Sequence, residues 1–385
     1  MKTKDKNYYR VNWIDGMKVD KNHFVAQEHA IMENLRSCEQ SNITDIDYGL
    51  LSQITGKGSF DVTISIDAQS TIEVMVKTCI AVTLGGFQIA ITENPLDGEG
   101  KTWQIVKEKY FKGDGENEWY VVLGVNPYER VPFGPIDPEE EPPRRPFVAP
   151  KYSLAVLSKN EISESSLGPN HISIGKLRMS DGHLIVDPNF VPPCRTVQSH
   201  PDLMMVYNEL GSFMNQMELF SLHIIQKIHQ KKQTNDLASM ALYIAEQMLR
   251  YLTENINGFR FIDRHKAPIH MISRLVTLAR VIKSSLDVFV GAGKENFLNY
   301  LTNWCDLNQG SFEKILTETI DLKYEHGDIN QALVKVSSFT KLMLSLFKKL
   351  SELDYIGKKE DSGIFVKEEV VEKAEARGRR SFLLD

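Results

Sequence analysis

Apolar and polar positions change their period midway along the chain. Phe60, Val62, Ile64 and Ile66 alternate with Asp61, Thr63, Ser65 and Asp67, the two-residue period of a half-buried strand. Ile72-Val74-Val76 repeats that pattern, and so does Phe87-Ile89-Ile91 after Gly85-Gly86. Glu118–Val125 and Tyr152–Leu157 are more continuously apolar, as central strands are. Ile172–Val186 reads as a hairpin turning at Asp181-Gly182, where glycine takes the positive φ of a tight turn. Roughly seven to nine short strands separated by turn signals predict a β-sandwich or barrel. One helix over Asn22–Ser41 is expected before them.

Between these strands, residues 126–150 hold Pro127, Pro132, Pro135, Pro138, Pro142, Pro143, Pro146 and Pro150. Locked φ angles and missing N–H donors exclude helix and interior strand. The segment is expected to be an extended surface connection. Phe133, Phe147 and Tyr152 would anchor it as an ordered arm lying on a neighbour; the alternative is a loose loop with Glu139-Glu140-Glu141 in water.

Near residue 190 helix takes over. Phe190-Val191-Pro192-Pro193-Cys194 leads to Ser199-His200-Pro201-Asp202. Two prolines stiffen the junction, and Ser199 or Asp202 could cap the next helix. In that helix Leu203, Val206, Leu210, Phe213, Met217, Phe220 and Ile224 are spaced 3-4-3-4-3-4, the seam of a coiled coil. Met205, Met214, Leu219, Leu222 and Ile225 add a second apolar face. Two faces need two neighbours: the chain's own bundle and the same helix in sister subunits. A seam closed within one chain stays open as the alternative. Further helices are predicted at Asp236–Thr253, Pro268–Phe289, Glu295–Cys305, Phe312–Lys323 and Asp328–Leu353. The organisation expected is α+β: a sandwich domain over 1–198, a helical domain over 199–355 and a charged tail over 356–385. That tail is either disordered or a strip docking on another subunit.

Composition adds exclusions. The chain has 385 residues, 42% apolar and 25% charged, ordinary for a soluble protein able to bury a core. Net charge of −6 gives no sign of nucleic-acid binding. Cysteines at 38, 79, 194 and 305 form no Cys-x-x-Cys pair, so no metal or redox motif is expected. The charged N-terminus lacks a signal-peptide core, and no run approaches the ~18 apolar residues of a membrane span. A cytoplasmic protein is expected. Gly56-Lys57-Gly58-Ser59 is no P-loop, because the spacing to Gly49 is wrong and no Ser or Thr follows Lys57 directly. His223 and His229 stand six apart rather than four. His265, His270 and His326 have no site pattern around them. No enzyme, cofactor or metal site is expected.

One short constellation is uncommon: Trp13-Ile14-Asp15-Gly16-Met17, then His23-Phe24 and Gln27. It resembles the N-terminal signature of the TssK family, baseplate proteins of bacterial type VI secretion systems, with Lys21 where a proline is usual. Phe190, Pro192, Pro193 and Cys194 resemble that family's entry from β "shoulder" to helical "neck". Tyr324-Glu325-His326-Gly327-Asp328 resembles its Tyr-x-His-x-Asp step before a late neck helix. The resemblance implies a homotrimer with β-sandwich shoulders on a bundled or coiled-coil neck. It implies shoulders attached to a TssF–TssG wedge at the inner-membrane-proximal baseplate, with no catalysis. The family's C-terminal head, which reaches the membrane complex, has no counterpart here, so the membrane-side partner is left open. Trp13, Gly16, Met17, His23, Phe24 and Gln27 would anchor an N-terminal arm, with Trp13 and Phe24 buried on the β-domain. A phage-like trimeric receptor-binding or tail-fibre protein is the rival reading.

Overall fold

The computed structural model describes residues 8–52, 58–67, 71–93, 100–105, 117–164, 168–180, 182–303 and 308–357. Asp181, Gly56-Lys57, Cys305 and nearly all of the charged tail lie outside them. Helix α1 (Lys21–Gln40) comes first. Five strands follow: β1 (Gly49–Leu50), β2 (Phe60–Ile66), β3 (Ile72–Val82), β4 (Gln88–Ile91) and β5 (Lys101–Ile105). All four others pair antiparallel with β3, with Val62 opposite Val76 and Ile64 opposite Val74. A second antiparallel sheet has the order β7-β6-β8-β9. Its strands are β6 (Glu118–Phe133), β7 (Phe147–Leu157), β8 (His171–Ser180) and β9 (His183–Val186), with the short helix α2 (Lys159–Glu164) after β7.

The two sheets face each other as a sandwich. A Cβ added at Gly175 of β8 would stand 2.2 Å from Ile64 Cδ1 of β2, so a side chain there would push the sheets apart. The Ala90 N–H of β4 donates to the Tyr152 hydroxyl of β7 at 3.2 Å.

The proline-rich segment is not a loose connection. β6 continues to Phe133 and, after an irregularity between Asn126 and Arg130, pairs with β7 through Arg130–Pro150, Val131–Ala149, Pro132–Val148 and Phe133–Phe147. β8 pairs only with Glu118–Gly124 of β6. The Val125 N–H still reaches Asn170 O at 3.0 Å; beyond it, among the described strands, β6 and β7 pair only with each other as a two-stranded ribbon. Proline is tolerated there because an outward N–H has no ladder to complete.

The helical half holds α3 (Pro201–Gln230), α4 (Asp236–Phe261), α5 (Ile269–Asp287), α6 (Ala292–Thr302), α7 (Gln309–Ile320) and α8 (Asn330–Glu352). α3 is capped by neither Ser199 nor Asp202. His200 is the N-cap, and its Nδ1 accepts the Asp202 N–H at 3.3 Å. Ser199 instead closes the preceding 3-10 turn with Thr196.

α3 packs on α4 and α8. Leu203, Tyr207, Leu210, Met214, Met217, Ser221, Ile224 and Ile228 are buried along it. The seam is thus filled by the chain's own helices, although Val206 and Phe220 stay half-buried. Of the second face, Met214 is buried, while Met205, Leu219 and Leu222 are exposed. Sandwich and bundle share one continuous apolar core through Leu50, Cys194, Val197 and Leu203.

Candidate functional site

The N-terminal constellation folds into a clasp on α1. Gly16, at φ 77°, turns the chain, and the Met17 N–H donates to Ile14 O at 3.3 Å. Asp20 then caps α1, its Oδ1 accepting the Asn22 and His23 N–H groups at 2.8 and 3.3 Å. His23 Nδ1 accepts the Asp20 N–H at 3.2 Å and closes a capping box. One helical turn on, Gln27 Oε1 accepts the Val11 N–H at 3.3 Å and ties the arm to the helix. Trp13 lies across this clasp, its ring 6.2 Å from His23 and 6.3 Å from Phe24.

Trp13 and Phe24 are not buried on the β-domain. They are 47% and 63% exposed, because the polar bonds of Gln27 and Asp20 hold the arm and leave both rings outside. Phe24, Glu28, Ile31, Leu35 and Cys38 recur at 4-3-4-3 along the outer face of α1, and all are exposed. The opposite face holds the sandwich. There Arg36 stacks over Phe87 and donates to Gly85 O, and Glu39 pairs with Arg195.

The ribbon flanks this helix. Tyr128 donates to Glu33, stacks on Tyr8 at 4.1 Å and meets His29 edge-on. Arg130 pairs with Glu28 at 3.3 Å. Val131, Ile136, Phe147 and Val148 on the ribbon are exposed. The exposed large apolar side chains number 22 among the described residues, and 11 of them stand on the arm, α1 or the ribbon. That concentration marks one composite surface, since scattered single apolar residues are normal on a monomer.

The junction is built from backbone. The Leu50 N–H donates to Pro193 O at 2.8 Å, and the Arg195 N–H donates to Leu50 O at 3.0 Å. A Cβ on Gly49 would lie 2.0 Å from Pro193 O, and Gly49 sits at φ 104°. Phe190, Pro192, Pro193 and Cys194 are all buried here. Burial pushes the Cys194 thiol pKa well up, so it is inert packing.

The chain is similar to TssK. No family model matches it and no curated protein matches it. A crystal structure of TssK aligns over 90% of this chain and 70% of its own, at 14% identity and a TM-score of 0.46. TssK from the EAEC type VI secretion system, solved with a nanobody, aligns over 84% and 99%, at 13% identity and 0.46. The TssK–TssF–TssG baseplate subcomplex aligns over 90% and 100%, at 15% identity and 0.41.

The Tyr-x-His-x-Asp step lies where sandwich meets bundle. His326 Nε2 donates to Tyr48 O at 2.8 Å, which leaves Nδ1 to accept from the Tyr324 hydroxyl at 2.7 Å. Burial holds the imidazole below its ordinary pKa, against the smaller upward pull of the Tyr48 carbonyl. Asp328 Oδ2 accepts from Tyr120 Oη, Lys176 Nζ and Gln331 Nε2 at 3.0, 2.9 and 2.9 Å. Lys176 and Asp328 are each about 95% buried, at 5% side-chain exposure. Burial alone would lower the Lys176 pKa, but bonds to Asp328 and Glu118 outweigh it and raise it. Sequence reasoning missed this network, since its members lie 152 and 208 residues apart. Among the described residues no His, Cys, Asp or Glu cluster could hold a metal ion, and no helix is long and apolar enough to cross a membrane.

Proposed function

We propose that this chain is a TssK-like baseplate subunit: a homotrimeric adaptor that joins a TssF–TssG wedge to the envelope-anchoring complex of a type VI secretion system. Its role is assembly at the cytoplasmic face of the inner membrane, without catalysis. The observation that carries the reading is the composite surface of arm, α1 and ribbon. The residues that resemble the family signature build it, and they hold its apolar side chains outward where a partner can cover them. Wedge attachment is assigned to this surface. Trimer contacts are assigned to the helical half, where Met205, Leu219 and Leu222 leave part of α3 uncovered.

Two measurements test the proposal. Solution mass should give three times the 43.9 kDa chain, and a monomer at micromolar concentration would overturn the trimer. Co-purification should recover TssF and TssG homologues from the source bacterium. Specific glycan binding without them would favour the receptor-binding reading instead.

A further inference from the structure

A groove of about 300 Å³ runs between α3 and α8, where the bundle meets the end of the sandwich. Leu210, Leu333 and Val336 are buried along its floor. Met205 and Val334 also line it, each 58% exposed, and Val206 beside them is half-buried. Among the described residues its lining holds no Lys, Arg or His, and its charged groups are the exposed carboxylates of Asp202 and Glu209. Apolar walls with acidic margins suit an apolar segment that also carries positive charge.

The chain itself has such a segment. Arg377-Gly378-Arg379-Arg380 is followed at once by Ser381-Phe382-Leu383-Leu384. The point from which this tail departs is held firmly. Ile356 is fully buried, and its N–H donates to Gln233 Oε1 at 3.0 Å. Asn235 Nδ2 donates to Ile356 O at 3.1 Å, and the Gly357 N–H donates to Tyr300 Oη at 3.3 Å. The tail therefore starts beside the C-terminal end of α8. From Glu352 back to Val334 the helix covers about 27 Å. Residues 358–376 span up to about 60 Å when extended, so the tail can turn back and reach the groove with slack.

We infer that residues 377–384 dock in the α3–α8 groove of their own chain. Phe382 and Leu383 cover Met205 and Val334, and the arginines meet Asp202 and Glu209, where a guanidinium can engage a carboxylate through two N–H groups. The inference goes beyond the baseplate reading and stands without it. Leu219 and Leu222 lie outside the groove and stay open to the subunit contacts proposed above; Met205 is the residue common to both.

Photo-cross-linking of the full chain tests it, with p-benzoylphenylalanine in place of Phe382. Adducts mapped by mass spectrometry should fall within residues 202–210 and 330–340, in a product of one chain's mass on a denaturing gel. Val334→Asp and, separately, Arg379→Glu/Arg380→Glu should each lower the adduct yield at least about tenfold. The first alters an exposed side chain and the second only the tail, so melting curves should match that of the unaltered chain. Four results would overturn the inference: no adduct in the full chain, adducts on another surface such as the arm or α1, a product of two chains' mass, which would put a sister copy's tail in the groove, or an unchanged yield in a variant that folds.

Discussion

Trp13 and Phe24 lie on the outside of the clasp, Trp13 against His23 as well as Phe24, so they separate surface function from stability. Trp13→Ala and Phe24→Asp should change unfolding free energy by no more than about 0.5 kcal/mol, as exposed substitutions do. Both should weaken wedge recruitment, read by quantitative pull-down. Loss of fold in either would place these rings in the core instead. The buried imidazoles set a pH dependence. His326, His200 and His171 all have pKa values pulled below 6.5 by burial. Below about pH 6.5 the unfolded chain takes up protons that the folded chain refuses. Stability should hold above that pH, fall as pH drops through the window below it, and level off under the folded values. His326→Asn should make that decline shallower in denaturant titrations across pH 7 to about 5. An unaltered slope would mean that His326 is not buried neutral. Lys176→Met leaves the Asp328 carboxylate buried without its cation. It should cost about 3 kcal/mol, and the double variant Lys176→Met/Asp328→Leu should recover part of that loss.

At the scale of elements, legibility followed local period. β2 was readable to the residue because Phe60–Ile66 alternates cleanly, and the helices were readable from apolar spacing. β1 was not, since its two residues are strand only through partners distant in sequence: Ala81 and Val82 of β3 on one side, Pro193 and Cys194 on the other. β5, Lys101–Ile105, is mostly polar and owes its place to β3. The ribbon was misread because proline forbids strand only where a neighbour needs the N–H. In α3 the heptad seam was plain, but spacing carries no address, and the seam turned inward to α4 and α8. The arm motif was legible as a motif, yet not its exposure, which depends on Gln27 reaching back to Val11. Gly49→Ala tests the junction directly. The added methyl meets Pro193 O at 2.0 Å in a left-handed conformation. It should cost at least about 2 kcal/mol in chemical denaturation; a neutral result would mean that β1 does not pair with the Pro-Pro segment.

Over the whole molecule, two kinds of contact divide the labour. Buried polar bonds and one shared core hold sandwich to bundle as a unit, while uncovered apolar side chains gather on the arm, α1 and the ribbon. Half of the exposed large apolar side chains among the described residues stand on those three elements, and they are assigned to a partner. The measurement closest to that claim is the affinity of the chain for the TssF–TssG subcomplex of its own bacterium, beside Phe24→Asp/Leu35→Asp. The account expects saturable binding by the unaltered chain, at least about tenfold weaker binding by the double variant, and matching melting curves. No binding by the unaltered chain, or equal binding by both, would contradict it.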